Sequence, residues 1–190
     1  MSERGHAAIL LDRDGTINVD TGYVRDAASV TLEPGAAEGL RALADAGWPL
    51  VVLSNQSGVA RGLMGLAEVE AVNARIAALL GEQGVTIAGW YMCPHGPDEG
   101  CDCRKPLPGL AHAAAAELGL DLTACWMIGD KKSDIRMGEA VGASTILLLS
   151  GEGAKHRDWA LANGTSVCAT LLDAANHVAA VCAPAVVSVR

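Results

Sequence analysis

Phenylalanine is absent from this 190-residue chain, and aromatic residues make up only 3% of it. A core must therefore come from Leu, Val, Ile and Ala, a composition that suits close-packed helices and buried parallel strands. Positive charge is also scarce: 14 Lys and Arg face 22 Asp and Glu, for a formal net charge of −8. Without a basic field there is nothing to displace counterions from a phosphate backbone, which argues against general nucleic-acid binding. An anionic ligand must be captured by a few local cations instead. No apolar run approaches the ~20 residues needed to cross a bilayer. No N-terminal stretch joins basic residues to a long apolar segment, so a cytoplasmic location is expected. Internal repeats and low-complexity linkers are missing too. At this length, with 51% hydrophobic residues, one domain with a substantial core is expected over residues 1–182, with 183–190 as a peripheral tail. Nothing has the pattern of a coiled coil or a large exposed apolar stripe, and a monomer is the expectation.

What is present is an alternation. Apolar runs at Ala7–Leu11, Pro49–Leu53, Ile87–Cys93, Cys125–Ile128 and Ser144–Leu149 alternate with helical stretches at Gly35–Ala46, Leu66–Gln83, Pro108–Leu118, Lys132–Val141, Ala154–Ala162 and Leu171–Val181. The alternation predicts an α/β fold: a three-layer, Rossmann-like parallel sheet with helices on both faces. Gly47, Gly84, Gly119 and Gly142 each follow a helical stretch, where a left-handed residue closes a helix. The segment Ile17–Glu33 and the one after Lys105 are too short to fold separately, so no cap domain is expected.

In an open parallel sheet the ligand site lies beyond the carboxyl ends of the strands. Four clusters sit there. Asp12-Arg13-Asp14-Gly15-Thr16 follows the first apolar run, Ser54-Asn55-Gln56-Ser57-Gly58 the second, Arg104-Lys105-Pro106 the third, and Gly129-Asp130 with Asp134 the fourth. Taken singly each has a bland reading: Asp-Gly is common in turns, Ser and Asp cap helices, and Lys105 alone is an ordinary surface lysine. Two carboxylates one residue apart at a strand tip nevertheless suit phosphoryl chemistry, because the first can attack phosphorus while the second protonates a leaving oxygen.

The pattern Asp-x-Asp-Gly-Thr after a hydrophobic strand resembles motif one of the haloacid dehalogenase-like phosphohydrolases, and the other three clusters follow in that superfamily's order. The resemblance implies an aspartyl-phosphate mechanism. Asp12 is then the nucleophile and Asp14 the acid and base. Lys105 supplies a fixed positive charge and Ser54 completes the phosphate cradle. A catalytic Mg²⁺ is expected on Asp12, Asp130 and the backbone carbonyl of Asp14, since magnesium prefers oxygen ligands.

A second cluster is local. Cys93-Pro94-His95 and Cys101-Asp102-Cys103 flank a turn carrying Gly96, Pro97 and Gly100. Three thiolates and one imidazole fit a closed tetrahedral Zn²⁺ site, and a closed site is structural, pinning the loop that leads into Arg104 and Lys105. Buried free thiols or a redox pair are the weaker alternatives in such glycine-rich surroundings. Cys125, Cys168 and Cys182 are expected to be simple thiols.

With both clusters in view the chain resembles the D-glycero-D-manno-heptose 1,7-bisphosphate 7-phosphatases and their relatives the histidinol-phosphate phosphatases, both zinc-containing and capless. The likeness runs from about Ala7 to about Ala180. Asp12 to Asn18, Asp20-Thr21-Gly22-Tyr23-Val24 and Asn55 to Gly62 favour the heptose branch. Carried across, it implies substrate contacts by Asp20, Thr21, Gly22, Tyr23, Ser54, Asn55, Gln56, Ser57, Arg104, Lys105 and Lys131. It also implies a heptose 1-phosphate product that feeds nucleotide-activated heptose synthesis for lipopolysaccharide precursors. Of these contacts, Arg104 also has a physical reason: its planar fork matches the oxygens of a second phosphate. The motifs leave the anomer open. Another small phosphomonoester, histidinol phosphate included, is the alternative substrate. A catalytically inactive, zinc-stabilised binding protein is the non-enzyme alternative.

Overall fold

A computed structural model describes residues 5–182; the expected tail 183–190 lies outside the described residues. Six parallel strands form one sheet: β1 (Ile9–Leu11), β2 (Leu50–Asn55), β3 (Gly89–Cys93), β4 (Trp126–Gly129), β5 (Ser144–Leu148) and β6 (Ser166–Cys168). Their order across the sheet is β3-β2-β1-β4-β5-β6. The helices are α1 (Ala36–Asp45), α2 (Leu66–Gly81), α3 (Gly109–Leu118), α4 (Lys132–Ala140), α5 (Gly153–Ala162) and α6 (Leu171–Cys182), with single 3-10 turns at Ala27–Ser29 and Leu122–Ala124.

The sheet is buried on both faces, which is why its strands read as continuous apolar runs. In β1 the alternation still shows. Ile9 and Leu11 pack with Leu40 of α1 and Val178 of α6, while Leu10 points to the opposite layer with Ala111 and Ala114 of α3 and Met137 of α4. Burying each such Leu or Ile contributes roughly 1.5–3 kcal/mol. Small residues do the rest: Gly39 of α1 lies so close to α6 that an added Cβ would sit 2.4 Å from the Leu171 backbone. Among the four expected closing glycines, Gly119 has φ 65° and ψ 41° at the end of α3, the left-handed conformation that a Cβ disfavours.

Two differences from the sequence reading matter. β2 continues past Leu53, so Ser54 and Asn55 pair with Met92 and Cys93 inside the β2–β3 ladder and are not loop residues. The sheet also has a sixth strand. Ser166–Cys168 is a three-residue, half-buried edge beside β5, too short and too polar to stand out as an apolar run.

Strand order puts the site in place. From β1 the chain builds outward through β2 and β3, then returns to the other side of β1 with β4, β5 and β6. β1 pairs Ile9 to Leu11 with Trp126 to Ile128 of β4. The order therefore reverses at β1 and β4, and the crevice beyond their carboxyl ends is where such a sheet binds ligands.

Candidate active site

Asp12 leaves the tip of β1 and Asp130 the tip of β4, the two strands on either side of the switch. Asp134 projects from the first turn of α4. One carboxylate oxygen from each lies within 4.8 Å of the others, and all three residues are buried. Three carboxylates so close need positive charge, and Lys105 provides it. Its Nζ lies 2.6 Å from Asp12 Oδ1 and 2.8 Å from Asp134 Oδ1, and it also donates to the Leu53 carbonyl at 2.6 Å. Lys105 is itself only 3% exposed. Asn55 fixes this segment, donating to the Lys105 carbonyl at 3.1 Å and accepting from the Lys105 backbone N–H at 3.0 Å.

The electrostatics follow from that packing. Burial pushes the Asp12 carboxyl up, but Lys105, Lys131 and the backbone N–H of Arg13 outweigh it and hold Asp12 below the usual carboxylate range. Burial lowers Lys105, yet Asp12 and Asp134 keep it above the ordinary lysine value. Asp130 goes the other way. Burial and the charge of Asp12 push it up to about 8, against the pull of Lys131 and the Glu152 N–H. Asp134 is pushed up to about 6 by burial and Asp12, with Lys105 opposing.

The oxygens divide into engaged and free. Asp134 Oδ2 accepts from the Lys131 backbone N–H at 2.9 Å, and Oδ1, without a hydrogen bond, is ion-paired with Lys105. Asp130 Oδ2 accepts from the Glu152 N–H at 2.8 Å, whereas Oδ1 is buried without a hydrogen-bond partner. A buried, unpartnered acceptor on one of three clustered carboxylates fits a hard divalent cation. Gly15 and Gly151 leave room for the Asp130 carboxylate itself, since a Cβ on either would sit 2.5 Å or 2.3 Å from its Oδ2. Asp134 was legible only as a neighbour of Asp130; its place against Lys105 emerges from the fold.

The Asp14 side chain stands apart from the cluster. Arg13 Nη2 reaches its two oxygens at 3.0 and 2.9 Å, Asn18 Nδ2 donates to Oδ1 at 3.0 Å, and Gln56 Nε2 to Oδ2 at 2.8 Å. Sequence reasoning gave Arg13 no role, although an arginine set between two acids at a buried strand tip was the signal.

A cleft of about 500 Å³ has on its wall Asp14, Asp20, Gly22, Tyr23, Asn55, Gln56, Ser57, Arg104, Lys105 and Lys131, together with Ser133 and Glu152, which the sequence did not single out. Two expected contacts are not on that wall. Thr21 does not line it, and Ser54 is 3% exposed, its Oγ accepting from Gln56 Nε2 at 2.6 Å. Asp20 does line it, with Oδ1 bound to the Gly22 N–H at 2.8 Å and Oδ2 3.2 Å from Lys131 Nζ. Lys131 is also 3.8 Å from Asp130 Oδ2. Arg104 donates to the His95 carbonyl at 3.2 Å, which ties the cleft to the cysteine loop.

In that loop Cys93, His95, Cys101 and Cys103 converge. Cys93 Sγ is 3.6 Å from both His95 Nδ1 and Cys101 Sγ, and His95 Nδ1 is 3.3 Å from Cys103 Sγ. Tetrahedral zinc with Zn–S near ~2.3 Å sets its ligand atoms roughly 3.5–3.8 Å apart, so the donor set fits the ion. Without a cation the thiols oppose one another: burial and hydrogen bonding with Cys93 and Cys101 push Cys103 up to about 12.

A protein from Pseudomonas putida named D-glycero-beta-D-manno-heptose-1,7-bisphosphate 7-phosphatase is 44% identical over 76% of this chain and 83% of its own length. The chain belongs to that family. A relative of the same name from Pseudomonas aeruginosa is 39% identical over 84% of this chain and 90% of its own. Residues 102–174 match the family model described as HAD-hydrolase-like. The crystal structure of D,D-heptose 1,7-bisphosphate phosphatase from B. bronchiseptica, complexed with magnesium and phosphate, superposes with a TM-score of 0.83 at 35% identity, covering 91% of this chain and 98% of that one. Membership of this family makes the chain a phosphatase with the HAD-like Rossmann fold. Among the described residues no helix is long and apolar enough to cross a membrane.

Proposed function

We propose that this phosphatase removes the 7-phosphate of D-glycero-D-manno-heptose 1,7-bisphosphate, with Asp12 as nucleophile. One observation carries the reading. Asp12 is held anionic by a buried lysine 2.6 Å away, at the strand switch, beside a buried oxygen of Asp130 that has no partner.

The residues divide the work. Asp12 Oδ attacks phosphorus and the bond from phosphorus to the C7 oxygen breaks; Asp14 gives its proton to that leaving alkoxide. Asp14 then takes a proton from water as the water attacks the aspartyl-phosphate, which frees inorganic phosphate and restores Asp12. Lys105 stays fixed beside Asp12 and offsets the charge carried by the transferring group. At ~4 Å and an effective dielectric near 20 such a pair is worth on the order of 4 kcal/mol before desolvation. Asp12, Asp130 and the Asp14 carbonyl are the groups to hold Mg²⁺, which supplies Lewis-acid charge neutralisation when bound. Asn55, Gln56 and Ser57 line the cleft beside this centre, and Arg104 lies on its wall to receive the second phosphate. Cys93, His95, Cys101 and Cys103 would hold Zn²⁺, which would supply a structural tie for the loop that leads into Arg104 and Lys105 and no reacting group.

The same reading places the enzyme in the cytoplasm, as a monomer built from one domain over 1–182, making heptose 1-phosphate for activated-sugar synthesis. The experiment is Mg²⁺-dependent phosphate release, comparing both anomers of heptose 1,7-bisphosphate with histidinol phosphate and a generic monoester. A kcat/KM preference for one heptose anomer supports the proposal and names the anomer. A preference for histidinol phosphate overturns the substrate while keeping the chemistry, and no turnover at all supports an inactive zinc-stabilised binding protein.

A further inference from the structure

We infer that Arg13, anchored by Asn73 of α2, is a positioning residue that aims the Asp14 carboxylate at the leaving oxygen; the inference rests on the acid–base role proposed for Asp14. Arg13 is fully buried and is the largest fully buried side chain in the described protein. A guanidinium taken out of water must find acceptors for its N–H groups. Here the acceptors are side chains of the site. Nε and Nη2 each lie 2.9–3.2 Å from both oxygens of Asp14, and Nη1 donates to Asn73 Oδ1 at 2.9 Å.

The fork is what matters. The terminal torsion of an aspartate is broad, so a carboxylate held at one point can turn, whereas here each oxygen is shared between Nε and Nη2 and takes a further donor from Asn18 or Gln56. The Asp14 side chain keeps 15% of its surface exposed, facing the cleft. A general acid must sit within hydrogen-bond reach of the atom it protonates, and a small misplacement costs rate steeply. Asn73 matters because it holds the far end of the guanidinium against α2, an element outside the strand tips, so that the fork itself cannot swing.

The choice of leaving group separates positioning from mere stability. A sugar alkoxide needs a proton as it departs, while p-nitrophenolate leaves as an anion. We compare kcat/KM for heptose 1,7-bisphosphate and p-nitrophenyl phosphate in Arg13→Lys, Asn73→Ala and Asp14→Asn. Lysine keeps the charge but loses the two-point grip. Arg13→Lys is expected to lose ~10²-fold on the alkyl phosphate and less than ~10-fold on the aryl phosphate, within the range a general acid contributes. Asn73→Ala shifts the ratio the same way by less, with no charge changed, and carries the test alone if Arg13→Lys fails to fold. Adding Arg13→Lys to Asp14→Asn has little further effect on the ratio, because the two act as one unit.

Equal losses on both substrates in the folded single variants, or none, overturn the positioning role. An unchanged ratio in Asp14→Asn overturns the acid–base reading instead. An altered ratio there with an unaltered one in Arg13→Lys and Asn73→Ala sinks Arg13 alone.

Discussion

The two ligand clusters of this protein are assembled in opposite ways. The carboxylate cluster draws Asp12 from the tip of β1, Asp130 from the tip of β4 and Asp134 from α4, so residues more than a hundred positions apart meet only because β1 and β4 are neighbours. The thiol cluster draws all four members from Cys93–Cys103, a single loop at the end of β3. The first shares its charge with lysines and leaves an oxygen of Asp130 without a hydrogen-bond partner. The second turns its four donors on one another at 3.3–3.6 Å. A site that works on substrate needs an open valence and a rigid sheet behind it; a site that only ties a loop needs neither.

The division makes the coupling one-way: the carboxylate cluster can be broken without the thiol cluster, whereas breaking the thiol cluster disturbs the cleft. Asp12→Asn removes the nucleophile and is expected to abolish turnover, by ~10⁴-fold or more, in phosphate-release assays. Zinc content by atomic absorption should stay near wild type, while the melting transition falls, because Asp12 is one of the two carboxylates paired with buried Lys105. Cys101→Ser tests the reverse. It should lose zinc and lower the melting temperature while far-UV circular dichroism of the sheet and helices persists. Its kcat falls by ~10²-fold, because Arg104 and Lys105 follow Cys103 directly and shift with the loop. Unchanged kcat in zinc-free protein would show that the loop and the cleft are independent.

A milder break lies inside the carboxylate cluster. Asp134→Asn takes one of two anionic partners from a lysine that is 3% exposed. Half-stripping a buried pair destabilises by on the order of 3 kcal/mol, and losing the support of a reacting-site residue costs ~10- to 100-fold in rate. Urea unfolding and kcat read the two effects separately, and a stability loss without any rate loss would reduce Asp134 to a structural partner.

The same contrast explains what the sequence could and could not say. The convergence of the three cysteines and the histidine was legible outright, because Cys-Pro-His and Cys-Asp-Cys lie close enough in the chain that few folds could separate them. The five longer strands were legible because burial on both faces makes each an unbroken apolar run. β6 was not, since a three-residue edge strand of Ser, Val and Cys carries no period to detect. Asp12, Asp130 and Lys105 were found by their order behind successive strands. Their partners were not. That Lys105 bridges Asp12 and Asp134, that Ser54 lies beneath Gln56 and off the cleft wall, and that Arg13 grips Asp14 are facts of packing between distant segments, to which spacing along the chain is blind.

The smallest expected effect concerns protons at the carboxylate cluster. Burial and Asp12 raise Asp130 from 3.8 to about 8. Between those values the metal-free folded chain keeps a proton on Asp130 that the unfolded chain has released. The contribution of this group to stability therefore falls as pH rises across that window, and the loss is complete above about pH 8. Divalent magnesium competes for the same oxygens and binds the deprotonated form, so its stabilising effect must grow as pH rises. Saturating Mg²⁺ should raise the melting temperature more near about pH 8 than near about pH 5. Asp130→Asn, which cannot ionise, should flatten that pH dependence. The thiol cluster supplies the control: Cys101→Ser retains Asp130 and should retain the slope, so a slope lost there instead would place the titrating site in the loop and not at the strand switch.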